Sequence, residues 1–202
     1  MRNNQPVTQR EVSFADDTLI ISRTDLQGNI TQVNHAFVEI SGFSEAELIG
    51  KPHNILRHPD MPPEAYVDFW TNLKQGRPWT GLVKNRCKNG DHYWVVANAA
   101  PVLDNGRVSG YMSVRQKPTR QQIEAADHGY RLFTEGKAKG LKISQGKIIK
   151  NTLVWRAKNM LLKFKIGARL AGMIGLGVLV AVLLAAQGYM GLNASQQSLK
   201  TV

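Results

Sequence analysis

The chain has one cysteine in 202 residues, Cys87, and no acidic residue at all after Glu135. A lone cysteine forbids an intramolecular disulfide and removes the multi-cysteine zinc sites; Cys87 is expected to be a small strand residue. Catalytic signatures are missing too. There is no phosphate-cradling glycine loop, no metal-ligand cluster and no catalytic triad, so no enzymatic activity is expected.

The missing acids divide the chain. Residues 1–135 hold 15 Lys+Arg and 15 Asp+Glu, whereas residues 136–202 hold 11 Lys+Arg and none of the acids, so the whole formal charge of +11 sits in the last third. A neutral domain followed by a basic tail is not the pattern of a nucleic-acid binder, whose charge forms a patch on the domain itself. No nucleic-acid partner is expected.

Leu170–Ala186, "LAGMIGLGVLVAVLLAA", is continuously apolar, and no charge occurs from Leu170 to Leu199. That run, extended toward Met190, approaches the roughly 20 residues a transmembrane helix requires. Gly172, Gly175, Gly177 and Gly188 suit a membrane helix better than a soluble one. Ten Lys/Arg between Lys137 and Arg169 lie on one side of it. The positive-inside rule then places the N-terminal part in the cytoplasm and residues 191–202 across the membrane. "LVWRAKNMLLKFKIGARL" reads as a basic amphipathic helix at the membrane surface, with Trp155 as an interfacial anchor.

Residues 1–17 are polar and without periodicity, which predicts a flexible cap. "TLIISRTD" (18–25) and "ITQVN" (30–34) read as strands about an "LQGN" turn. "HAFVEISGFSEAELIGK" predicts two short helices broken at Ser41-Gly42, the second opened by a Ser44–Glu47 capping box. Pro62-Pro63 starts a longer helix that Gly76 stops. Three strands follow, "WTGLVKNRC" (79–87), "HYWVVANAAPVL" (92–103) and "VSGYMSVR" (108–115), joined by two Asn-Gly turns. The order predicts an α+β domain over residues 18–120: an antiparallel five-stranded sheet with short helices on one face and room there for a flat ligand. Residues 121–169 read as a helical basic connector, with Ile123, Tyr130 and Leu132–Phe133 at helical spacing, followed by the transmembrane helix 170–190.

Three stretches carry a resemblance: "TDLQGNITQVNHAFVEISGFSEAELIGKPHNILRHPDMP", "WTGLVKNRCKNGDHYWVVANAAPV" and "GRVSGYMSVR". Together they resemble a PAS domain, and "PHNILRHPDMP" with "KNRCKNGDHYW" is similar to the PAS sensors of bacterial aerotaxis receptors. The resemblance spans about residues 15–120. It implies a PAS fold, noncovalent FAD, and a redox sensor for aerotaxis or energy taxis at the bacterial inner membrane. It also implies a homodimeric receptor that signals through a downstream chemoreceptor region and its kinase-coupling proteins. The helical signalling regions of such receptors are absent from the sequence, which on this resemblance corresponds to an N-terminal part.

Seven residues are candidates for holding the cofactor. Arg57 suits a pyrophosphate, since a guanidinium fork pairs two phosphate oxygens. His58 and Asp60 flank Pro59, and Asp60 either holds Arg57 or caps the following helix. His53 belongs to the same stretch; a His53/His58 metal pair is the alternative, with only Asp60 and His35 nearby to complete it. Asn85, on a strand, offers an amide that matches the imide edge of an isoalloxazine. Trp79 borders the ring or is simply core. Asn34 joins them or caps the helix that starts at His35. The light-sensing flavin PAS relatives form a cysteine adduct from the region that here reads "HNILRHPD", which has no cysteine, and their second asparagine corresponds to Val95. A photoadduct is not expected. Two other readings stay open: a ligand-free PAS dimerisation module, and a heme gas sensor with a histidine axial ligand.

Overall fold

The structure, a computed structural model, describes residues 4–151. Strands β1 (Ile20–Thr24) and β2 (Ile30–Val33) form a hairpin. The Asp25 carboxylate closes its turn by accepting from the backbone and side-chain amides of Asn29, both at 2.8 Å. Two short helices follow, α1 (His35–Ser41) and α2 (Glu45–Leu48), separated by Gly42 in the left-handed conformation. The Ser44–Glu47 capping box opens α2. A single 3₁₀ turn, His53–Leu56, leads to α3 (Pro63–Lys74), with proline in its first turn where an amide hydrogen would have no partner.

Strands β3 (Trp79–Arg86), β4 (His92–Asp104) and β5 (Arg107–Gln116) complete an antiparallel sheet in the order β2-β1-β5-β4-β3. The β4–β5 turn places Asn105 and Gly106 both at positive φ (48° and 77°), the geometry a tight hairpin asks for. Strand alternation sends Val83, Tyr93, Val95, Ala97 and Ala99 to the inner face, where they pack with Phe37, Leu48, Leu56 and Leu73 from the helical side. The expected five-stranded sheet and short helices are present.

Beyond the sheet the structure departs from a purely helical connector. Helix α4 (Arg120–Thr134) is present, but Leu141–Ser144 and Lys147–Lys150 form a second hairpin, β6–β7. The alternating apolar residues of "LKISQGKIIK" suit strands, and Gln145-Gly146 turns the chain with both residues at positive φ. Ile123, Tyr130 and Ile143 pack with Met61, Ala65 and the outward-facing Trp94, and Tyr130 Oη donates to the Leu82 carbonyl at 2.8 Å. A Cβ on Gly146 would strike the Thr80 carbonyl oxygen, so only glycine lets the hairpin tip rest on the β3 edge. Asp68 fastens that tip, accepting from the amides of Gln145 (3.0 Å) and Gly146 (2.8 Å) and from Trp79 Nε1 (2.7 Å).

The expected flexible cap is instead docked over its described part. Thr8 N donates to Gly90 O (2.8 Å) and Val12 N to His92 O (2.7 Å), so the segment runs parallel to the start of β4. Buried Asn4 donates from Nδ2 to the carbonyls of Asn54 and Arg57, each at 2.9 Å. No helix among the described residues is long and apolar enough to cross a membrane, and the expected surface helix and transmembrane segment 170–190 lie outside them.

On the outer side, His58 and His92 are buried edge to face, ring centroids 5.6 Å apart. Burial, then the Lys84 ammonium, hold His58 down at about 4, and burial lowers His92 as well. Both rings stay neutral in the fold while the unfolded chain binds protons below about pH 6.5. Stability should therefore be full above that pH and fall as the pH drops toward 4; equal urea midpoints at pH 7 and pH 5 would contradict this. Asp68→Ala should cost about 1–3 kcal/mol, since charge-assisted hydrogen bonds are lost, and should speed amide exchange at Gln145 and Gly146 while leaving the β4–β5 amides protected.

Candidate functional site

Between the inner sheet face, the 3₁₀ turn and α3 lies a cavity of about 570 Å³, within the range of small-molecule and cofactor sites. Its walls are largely aromatic and apolar: Tyr66, Phe69 and Trp70 from α3, Trp79 and Val83 from β3, Ala97 and Ala99 from β4, and Tyr111 from β5. Trp70 and Tyr111 meet edge to face at 5.5 Å, as do Phe69 and Trp79 at 5.1 Å, which fixes a slot with flat sides.

The charged groups on this wall are all of one sign. Arg57, Lys74 and Arg115 line the cavity and no aspartate or glutamate does, among the described residues. Arg115 is the most enclosed, 5% exposed. Its guanidinium donates to Ser22 Oγ from both terminal nitrogens at 3.1 Å and to His53 Nε2 at 2.8 Å, with the Phe37 ring 5.5 Å away. Since arginine has no acceptor, His53 Nε2 must be the unprotonated nitrogen and Nδ1 carries the hydrogen. Burial, then the Arg115 charge, push His53 down to about 3, so the ring is neutral. Burial also lowers Arg115, to about 10, which leaves it charged at neutral pH.

Four buried polar atoms on the wall have no partner in hydrogen-bond geometry among the described residues: Thr24 Oγ1, Arg57 Nε, Ser113 Oγ and Asn85 Nδ2, whose side chain lies near the Tyr93 hydroxyl across β3–β4. Each such atom costs about 1–3 kcal/mol. Native proteins tolerate few of them, and four of the eight such atoms among the described residues lie around this one cavity, giving its aromatic wall polar edges.

The structure separates the seven candidates. His53, Arg57, Trp79 and Asn85 line the cavity. The Arg57 guanidinium lies 3.8 Å over the Tyr66 ring, and Trp79 faces the cavity while Asp68 holds its indole nitrogen. Asn34, His58 and Asp60 do not line it. Asn34 is the α1 cap: its Oδ1 accepts from Phe37 N (3.2 Å) and Ile21 N (3.0 Å), and its Nδ2 donates to Leu19 O (2.8 Å). His58 turns away because the backbone at Arg57 is extended, which sends neighbouring side chains to opposite sides. Asp60 does not hold Arg57; it pairs with Lys84 Nζ at 2.6 Å on the outer side. No group of three metal-ligating side chains exists among the described residues. Cys87 is buried away from the cavity, its thiol pushed up to about 12 by burial.

Arg115, Ser113, Ser22 and Tyr66 also line the cavity and are not among the seven candidates. The readable signal was the alternation in β5: Tyr111, Ser113 and Arg115 share the inner face, and a charged residue at an inward strand position asks for a reason.

Residues 30–115 match the family model described as PAS fold. Over 169 residues the chain is 46% identical to the aerotaxis receptor of Escherichia coli (strain K12), a match covering 80% of this chain and 33% of the relative. It is 33% identical over 100 residues to the nitrogen fixation regulatory protein of Klebsiella pneumoniae, covering 49% of this chain and 20% of that one. A solved light-oxygen-voltage domain, studied with a flavin analogue, aligns at 24% identity and a TM-score of 0.48 over 54% of this chain and 82% of its own. The chain thus spans about a third of the length of the aerotaxis receptor it matches. With its five-stranded antiparallel sheet, its short helices over one face and the family match across them, the region from β1 to β5 has the PAS fold.

Proposed function

We propose that the cavity binds FAD and that the protein is a redox sensor for aerotaxis, not an enzyme. The observation that carries this reading is the cavity wall itself, with four unpartnered polar atoms and three cations around an aromatic slot. Such a wall fits a flat, polar-edged, anionic cofactor and makes a poor interior for a ligand-free dimerisation module. A heme is a weaker fit, because His53 is the one histidine among the described residues that lines the cavity, and Arg115 already occupies its Nε2. The 46% identity to an aerotaxis receptor supports the same reading.

In this proposal the aromatic slot excludes water from the ring, Asn85 meets a polar ring edge, and Arg57 with exposed Lys74 serves the phosphates toward the cavity's solvent side. Bound flavin supplies reversible electron uptake; the protein's part is to bind it, set its potential and respond to its charge. Residues 170–190 anchor the chain in the bacterial inner membrane with the PAS domain cytoplasmic. The receptor works as a homodimer, passing its state to a downstream signalling region and kinase-coupling proteins.

Purified chain should be yellow and release FAD on denaturation; a colourless protein that takes up no added FAD would sink the reading. Asn85→Leu should weaken FAD binding about 10–100-fold, the equivalent of 1–3 kcal/mol. Asn85→Asp should weaken binding and also lower the midpoint potential, because a carboxylate repels a reduced, negatively charged ring, and both effects should ease at acid pH. Parent-like binding and potential in both variants would remove Asn85 from the cofactor.

A further inference from the structure

We infer that Arg115, steered by Ser22 and His53, forms the inner anion subsite of the cavity and holds the part of a bound flavin on which negative charge grows during reduction. This rests on the FAD reading above and adds what sets the cofactor's redox preference.

The charge of Arg115 is unbalanced. A guanidinium 5% exposed would ordinarily sit against a carboxylate. Arg115 makes no ion pair among the described residues; its partners are the Ser22 hydroxyl, the neutral His53 ring and the Phe37 face. Those partners aim the group without cancelling its charge. His53 cannot become a cation beside it at neutral pH, and no aspartate or glutamate lines the cavity among the described residues. Serine and neutral histidine are therefore positioning residues: they hold the fork in one orientation and leave its full positive charge acting on the cavity. Ser113, two residues earlier on the same inner face, adds a buried hydroxyl with no partner among the described residues.

Position decides which anion this is. Phosphates are strongly hydrated and costly to bury, and two other cations serve them nearer the solvent: Arg57 is half-buried and Lys74 is exposed. Arg115 instead lies deep on the sheet, beside the apolar slot that suits a ring. Two electrons from dithionite and one proton from solvent leave a flavin ring with one negative charge. A fixed buried cation binds that state better than the neutral oxidised one, because low local dielectric strengthens the attraction. By linkage, tighter binding of the reduced form raises the midpoint potential.

The test is an anaerobic dithionite titration of the full chain, with oxidised-FAD affinity measured in parallel, for the parent, Arg115→Gln and Arg115→Lys. We expect Arg115→Gln to lose at least tenfold of the preference for reduced over oxidised FAD, a fall of about 30 mV for a two-electron couple, and Arg115→Lys to lose less. If Arg115→Gln fails to retain FAD, the potential of Arg115→Lys decides: a fall relative to the parent supports the inference and a parent-like value overturns it. Equal loss of oxidised and reduced affinity in Arg115→Gln, with the potential unchanged, would assign Arg115 to the phosphates and overturn the inference. So would a parent-like potential in Arg115→Gln, or folded Gln and Lys variants that both fail to bind. A parent chain that takes up no FAD would overturn the proposed function itself, and with it this subsite.

Discussion

A positive charge buried without a carboxylate is the constraint around which the domain is arranged. Arg115 lies on the inner face of β5, 5% exposed, and its polar partners are a hydroxyl and a neutral imidazole. Burying an ion costs several kcal/mol even after relaxation, and in the proposal above a bound anion offsets that cost. Ser22 comes from β1, His53 from the 3₁₀ turn and Phe37 from α1, so three elements converge on one guanidinium. The helical side of the domain is thereby tied to the sheet at the cavity wall.

A second junction connects the cavity to the β6–β7 hairpin on the C-terminal side of the PAS domain. Trp79 forms part of the wall, its indole nitrogen donates to Asp68, and the same carboxylate accepts from the Gln145–Gly146 tip of that hairpin. Two bonded steps therefore separate a cavity-facing side chain from the last described segment of the chain. The hairpin also covers Trp94 and packs with α4, so it belongs to the same compact unit as the sheet.

Much of the fold was legible in the sequence because its signals are local. The Asn-Gly turns at 89–90 and 105–106, the Ser44–Glu47 box and the proline at the start of α3 each act within four residues. The misses come from interactions that no window contains. Arg57 and His58 look alike as cavity candidates, yet one extended residue sends them to opposite sides of the wall. Asn34 has the chemistry of a ligand and of a cap, and only the positions of Ile21 and Leu19 decide for the cap. The docking of residues 8–12 beside β4 depends on a strand start about eighty residues away. Residues 141–150 carry a strand pattern, but their basic composition merges them with the helical segments on either side. Arg115 sits in "GYMSVR", where alternation puts it on one face with Tyr111 and Ser113, and the β4–β5 pairing with the cavity lining shows that this face is the inner one.

The most direct measurement is a crystal structure of the FAD-saturated chain. Ligand polar atoms are expected at about 2.7–3.2 Å from the Arg115 guanidinium, Asn85 Nδ2 and Ser113 Oγ, with the ring against Trp79. A flavin bound elsewhere on the domain, or one in the cavity that leaves Arg115 facing only Ser22 and His53, would contradict the central role given to this buried charge.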